Sequence, residues 1–277
     1  MAHEQRIEVL HSRLGKVWNQ PVSVGSFTNK RLTINYRAPV SKLRQLIPQP
    51  IVVEEIGNTG MGMISQCVCD FHVTHFGLVP IPQVHTNEML CRVSVQLPKN
   101  GEMKRAYYTF RSDTSSRFLG LLGGNFSHFR KAVSKFFMRD ADGIYELQCR
   151  AQDEICNGYF KGHLASLSKD RPETTVFEDV DAATDFVYQL DGSCGYDFKG
   201  NRLSFQHIDY PDWDIQFCHD YEYDFSLLNY LFETFDLEAE LDCVLYMEQV
   251  KQTWGTSWLY RERTVPQEAV SAEATVS

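Results

Sequence analysis

No apolar run in this chain approaches the ~20 residues that a membrane-spanning helix needs. No block of five or more basic residues occurs, and 27 Lys and Arg stand against 36 Asp and Glu, for a net charge of −9. Nucleic-acid surfaces cluster cations against phosphate, so neither a nucleic-acid partner nor a membrane is expected. The opening Met1-Ala2-His3-Glu4-Gln5-Arg6 lacks the charged and apolar segments of a signal peptide, and a cytoplasmic location is the expectation. Internal repeats and breaks in composition are also missing. The expected layout is a lead-in at 1–26, one domain over 27–264, and a disordered, small and polar tail at 265–277.

The eight cysteines include no Cys-x-x-Cys. Scattered through strand-like runs, they read as reduced, buried thiols. Cys67-Val68-Cys69 turns two thiols to one face of a strand, with His72 and His75 close by. That spacing matches no zinc pattern, so core packing is the reading and neither a metal nor a cofactor is expected.

What is present in quantity is alternation. Phe27–Arg37 places apolar residues at 32, 34 and 36, a strand signal. Pro39 suits the first turn of a helix carrying Val40, Leu43, Leu46 and Ile47, which Pro48 and Pro50 stop. Further strands read at 51–55, 61–71, 88–97, 105–110, 145–151, 155–164, 202–208, 215–223, 241–252 and 258–263. Pro80 and Pro82 mark a loop, Asn100-Gly101 a hairpin turn, and Tyr210-Pro211-Asp212 another turn. Helices fit 182–190 and 225–235. Some ten strands with few helices imply an α+β fold, mostly antiparallel, its sheet closed or nearly closed into a barrel.

The densest chemistry lies in Gly123-Gly124-Asn125-Phe126-Ser127-His128-Phe129-Arg130-Lys131-Ala132. If this stretch and the next few residues are helical, Phe129, Val133, Phe136 and Phe137 form a buried stripe and Lys131 faces solvent. If the chain is extended at 131, that argument lapses.

Three blocks, in order, resemble the acetoacetate decarboxylase family. Phe27-Thr28-Asn29-Lys30-Arg31 through Ile34…Tyr36-Arg37 and Ile47-Pro48-Gln49-Pro50 is similar to its opening strand, helix and Pro-x-Pro exit. Thr86-Asn87-Glu88 is similar to its glutamate-bearing strand. Gly123…Ser127-His128-Phe129-Arg130-Lys131 is similar to its Gly…Ser-x-Tyr-Pro-Lys segment, which ends on the Schiff-base lysine. The resemblance covers 27–135, and the run 205–213 is closer to uncharacterised branches of the superfamily. It implies a Schiff-base lyase that needs no cofactor, acts on a small or medium oxo-acid, and forms homo-oligomers. Lys131 would be the nucleophile and Glu88 the proton shuttle or orienting group. Lys30, Arg31, His128 and Arg130 would be the substrate-binding cations.

A lysine that condenses with a ketone makes an iminium, a far better electron sink than the ketone itself. Attack requires the neutral amine, which must form well below the ~10.4 of a free lysine. Burial and a neighbouring cation do this, and acetoacetate decarboxylase is the standard instance. This chain departs from the pattern in two places. The family's second lysine is replaced by Ala132, and its second glutamate falls where Ile64-Ser65-Gln66 stands. Decarboxylation is therefore the first expectation, with aldol–dehydration or cyclisation on the same scaffold beside it. A binding or scaffold protein that has lost the chemistry is the contrasting class. The plain readings are an exposed Glu88 at a strand start, a packed or surface His128, and Trp213, Trp254 and Trp258 packed in the barrel wall.

Overall fold

Residues 31–36 define the molecule's architecture. Leu32, Ile34 and Tyr36 are buried on one side of their strand, while Arg31, Thr33 and Asn35 are buried just as deeply on the other. The sheet is therefore covered on both faces, one apolar and one polar. In the computed structural model, residues 22–99, 102–120, 131–188, 190–197, 202–209 and 213–260 are described.

The order is β1 (Val24–Pro39), α1 (Val40–Leu43), β2 (Val52–Val53), β3 (Met61–Phe76), β4 (Val79–Lys99), β5 (Glu102–Thr114), β6 (Ala132–Ala141), β7 (Ile144–Ala151), β8 (Gly158–His163) and β9 (Leu167–Ser168). There follow α2 (Val180–Val187), β10 (Gly192–Asp197), β11 (Arg202–Asp209), β12 (Gln216–Cys218), β13 (Tyr221–Phe225), α3 (Ser226–Phe235) and β14 (Glu240–Tyr260). Strands β1, β3, β4, β5, β10, β11 and β14 join in a ring, closed by the β4–β5 pairing. All its pairings are antiparallel except β5–β10. From β5 a parallel step to β6 leads out along β7, β8 and β13. The fold is α+β with a mostly antiparallel, barrel-like sheet, as its alternation implied.

Helix α3 packs Leu227, Leu231 and Phe235 into the cluster that contains Leu32, Ile34 and Tyr36. The other face is covered differently. Val180, Ala183 and Val187 of α2 pack with Tyr107, Tyr188, Leu245 and Met247. Asp179 caps α2 through Ala182 N at 2.8 Å, an ordinary carboxylate N-cap. Asp242, fully buried on β14, holds the approach to α2 by accepting from Thr175 Oγ1 at 2.6 Å and Val176 N at 3.0 Å.

Several boundaries differ from the sequence reading. Residues 132–141 are strand, so the helical stripe does not form. Adjacent Phe136 and Phe137 take opposite sides, the first against the core and the second 52% exposed. The Pro80–Pro82 loop is strand, because β4 already pairs with β3 at Phe76↔Val79. Residues 240–260 form one strand, since Trp254 stays paired to both Val24 and Ile208. The 215–223 strand is divided into β12 and β13. Strand β10, rich in small and polar residues, has no alternation to announce it. Lys99↔Glu102 is a pair, while Asn100-Gly101 itself, the lead-in through residue 21, the turn at 210–212 and the tail lie outside the described residues. No described helix is long and apolar enough to cross a membrane.

Candidate active site

Register, rather than closeness in sequence, assembles the polar face. Arg31 of β1 opposes Cys69 of β3, Cys69 opposes Glu88 of β4, and Glu88 opposes Thr114 of β5. Thr114 in turn pairs in parallel with Val133 of β6, two residues after Lys131. This row carries Lys131 to Glu88 across 43 residues of sequence, and Lys131 Nζ donates to Glu88 Oε2 at 2.5 Å. Lys131 is 9% exposed and Glu88 2%. Glu88 Oε1 is buried with no hydrogen-bond partner.

The β5–β6 junction that sets this contact is itself clamped. Arg111 donates from Nε and Nη2 to the two oxygens of Asp113, each at 2.8 Å. Asp113 Oδ1 also accepts from Ser134 Oγ at 2.6 Å, and Asp153 takes Arg111 Nη1 at 2.6 Å. Paired, hydrogen-bonded charges of this kind are what a buried polar junction requires.

Two further cations occupy the polar face. Arg31 donates from Nε to Cys67 Sγ at 2.9 Å, with its guanidinium carbon 5.3 Å from the ring centres of both Tyr188 and Trp213. Arg92 stacks over Tyr107 at 3.7 Å and lies 5.9 Å from Tyr188. Its Nε and Nη2 are buried and have no hydrogen-bond partner. Tyr188 is held by a 2.5 Å hydroxyl–hydroxyl contact with Thr33. Burial pushes the Cys67 thiol up, but the Cys69 hydrogen bond and the charges of Arg31 and Arg92 outweigh it and hold Cys67 well below the usual thiol range. Cys69, hydrogen-bonded to Cys67 and buried, is held well above that range. The arrangement offers an amine beside a carboxylate, two cations for an anion, and aromatic walls.

Lys131, Glu88 and Arg31 thus come together on this face. Lys30 does not. One residue along the strand it points the other way, ion-paired to Asp140 and 3.5 Å from Glu248, so it does not join Lys131 and Glu88. His128 and Arg130, with the glycine turn before them, lie outside the described residues. Glu88 is buried in mid-strand, because β4 extends nine residues before it. At the position of the absent second glutamate, Ser65 donates to Asn35 Oδ1 at 2.7 Å. Trp213, expected in the barrel wall, instead stands against Arg31 and Tyr188, 4.8 Å from the latter ring. The thiols of Cys67 and Cys69 and the ring of His72 fall on opposite faces of β3, so that metal set is not formed. Sequence reasoning misses Arg92. Its signal is an arginine inside Met89-Leu90-Cys91-Arg92-Val93-Ser94-Val95, where an apolar core strand has no reason to hold one.

No family model matches the chain, and no curated protein matches it in sequence. Solved structures do match. An acetoacetate decarboxylase from Legionella pneumophila superposes with a TM-score of 0.55 at 12% identity, over 90% of this chain and 91% of that one. An acetoacetate decarboxylase-like enzyme from Sphingomonas wittichii gives 0.53 at 10% identity, over 86% and 92%. The enduracididine biosynthesis enzyme MppR, complexed with the condensation product of pyruvate and imidazole 4-carboxaldehyde, gives 0.54 at 9% identity, over 87% and 89%. The chain has the acetoacetate decarboxylase-like fold.

Proposed function

From that fold, we propose that the protein is a cofactor-independent Schiff-base lyase for an oxo-acid, with Lys131 as nucleophile and Glu88 as its proton partner. The observation that carries this reading is the buried Lys131–Glu88 hydrogen bond at 2.5 Å. A lysine in that position is not a solvent-facing amine, and its partner can take the ammonium proton to leave the neutral nucleophile. The amine adds to the ketone, water leaves, and the iminium forms. In decarboxylation the bond between the α-carbon and the carboxylate breaks, its electron pair moves toward the iminium nitrogen, and carbon dioxide departs. Glu88, having given its proton to the departing water and regained one from solvent, protonates the enamine carbon, and hydrolysis returns the lysine. Arg31, in the same cross-strand row, would meet the substrate carboxylate.

If Glu88 instead takes a proton from the carbon next to the iminium, the enamine formed can attack an aldehyde, giving aldol–dehydration. The MppR structure, of the same fold at 9% identity, is complexed with a condensation product of an oxo-acid, pyruvate, and an aldehyde. Decarboxylation stands first because the buried cations Arg31 and Arg92 suit the carboxylate of an oxo-acid.

The test is borohydride trapping with a panel of 3-oxo and 2-oxo acids, followed by peptide mapping. One reduced adduct on Lys131 is expected, absent from Lys131→Arg. If no acid in the panel is trapped on Lys131 of the folded protein, the proposal fails, and a binding role for this face takes its place.

A further inference from the structure

A second constellation lies on the opposite side of β3, away from Lys131 and Glu88. Asp70 and His72 are two residues apart on β3, so both side chains leave the same face, and His85 of β4 stands directly opposite His72 in register. The two imidazoles stack, ring centres 4.5 Å apart and planes 25° from parallel. Both turn Nε2 toward one oxygen, Asp70 Oδ1. His72 lies 3.4 Å from it, and His85 is in direct contact. The other carboxylate oxygen, Oδ2, accepts from Asn29 Nδ2 at 3.5 Å, which orients Oδ1 toward the rings. All three donor atoms lie within 4.8 Å of one another. Around a tetrahedral ion with ~2.0–2.1 Å bonds, ligand atoms are about 3.3 Å apart, so small side-chain adjustments would close the set.

The geometry points to a divalent transition-metal site formed by Asp70, His72 and His85. Two imidazoles and one carboxylate are borderline ligands, suited to zinc or iron(II) and poorly suited to magnesium or calcium, which take oxygen. Three protein ligands leave coordination positions open, and the site faces a cavity of about 450 Å³ lined also by Asn29, Lys30, Asn87 and Asp140. The supports are rigid. Both strands belong to the closed ring, so the ligand positions are fixed by register rather than by a loop. The sequence obscures the set because its members are not spaced as a motif. Twelve residues separate His72 from His85, and the chain reverses between them at Phe76↔Val79. His75, the histidine that proximity in sequence suggests, instead contacts the carbonyl of Gly77 through Nδ1 at 2.9 Å.

The test uses the untagged chain, stripped with chelator, in calorimetric titration with zinc chloride. One equivalent is expected to bind the wild type. His72→Ala and His85→Ala are each expected to weaken binding at least 100-fold, and Asp70→Asn at least tenfold, with unchanged circular dichroism. His219→Ala, a control outside the cluster, should leave the isotherm as it is. Zinc should also raise the thermal midpoint of the wild type and leave that of His85→Ala unmoved, since a ligand stabilises only the state that binds it. Because His85 is exposed, its replacement does not endanger the fold. Absence of stoichiometric binding by the wild type, or an isotherm that survives both histidine replacements, would overturn the assignment.

Discussion

A lysine and a glutamate withdrawn from water are tolerated when each neutralises the other. Lys131 and Glu88 are 9% and 2% exposed, and Glu88 keeps one oxygen, Oε1, without any partner. Breaking such a pair from one side strands a buried charge, at a cost of roughly 3–5 kcal/mol. Glu88→Gln should therefore lower the urea-unfolding free energy by about that amount, and Glu88→Gln with Lys131→Met should recover most of the loss. Strictly additive single and double variants would argue that the two groups do not interact in solution. The same Glu88→Gln should lower turnover by ~10²-fold or more if the carboxylate moves the proton. These two residues are legible in the sequence, through short blocks similar to the family's glutamate strand and lysine segment. Arg92 is not, because its reason for being inside lies in Tyr107 and Tyr188, fifteen and ninety-six positions away. Lys30 points away from this pair for a simpler cause. Neighbours on a strand face opposite ways, and the resemblance does not say which of Lys30 and Arg31 points inward.

Strand β6 shows what periodicity can and cannot settle at the level of elements. Val133, Phe136 and Phe137 fit a helical stripe, but the same letters also read as a strand, and pairing to β5 and β7 decides for the strand. Nothing local announces that pairing. It depends on Asp113, which opposes Ala132 and is held by Arg111 and Ser134. Asp113→Asn would keep the shape while removing the charge that Arg111 needs in a fully buried setting. We expect it to cost roughly 3–5 kcal/mol in denaturant unfolding and to reduce borohydride trapping at Lys131 more than at surface lysines. If trapping at Lys131 is unchanged under native conditions, the clamp is a stability feature alone and does not position the amine. The long strands β1 and β3, by contrast, are readable from residues 32, 34 and 36 and from 61–71. Register makes a strand's faces, and alternation is its direct imprint.

A sheet covered on both faces buries polar side chains as readily as apolar ones, and this gives the whole molecule a characteristic response to alkali. Burial pushes the Tyr188 and Tyr221 phenols up to about 12, and holds Tyr36, Tyr108, Tyr145, Tyr223 and Tyr246 above the ordinary range as well. Burial likewise raises the thiols of Cys149, Cys194, Cys218 and Cys243. In the unfolded chain these groups ionise near their ordinary values, ~8.5 for a thiol and ~10 for a phenol. Above those values the unfolded state holds fewer protons than the folded one, so stability falls as pH rises. Cys67 has the opposite sign. It favours the folded state above the ordinary thiol value, and that contribution is lost as pH falls through its lowered folded value, but it is a single group against many. The urea midpoint should therefore decline from about pH 8 to about pH 11, gently while thiols dominate and more steeply once phenols join. Most tyrosinate absorbance should develop together with the loss of far-ultraviolet ellipticity rather than before it. If the phenols titrate near ~10 in a chain that keeps its ellipticity, then water reaches them in the folded state, and the burial of Tyr188 against Arg31 and Thr33 does not hold in solution.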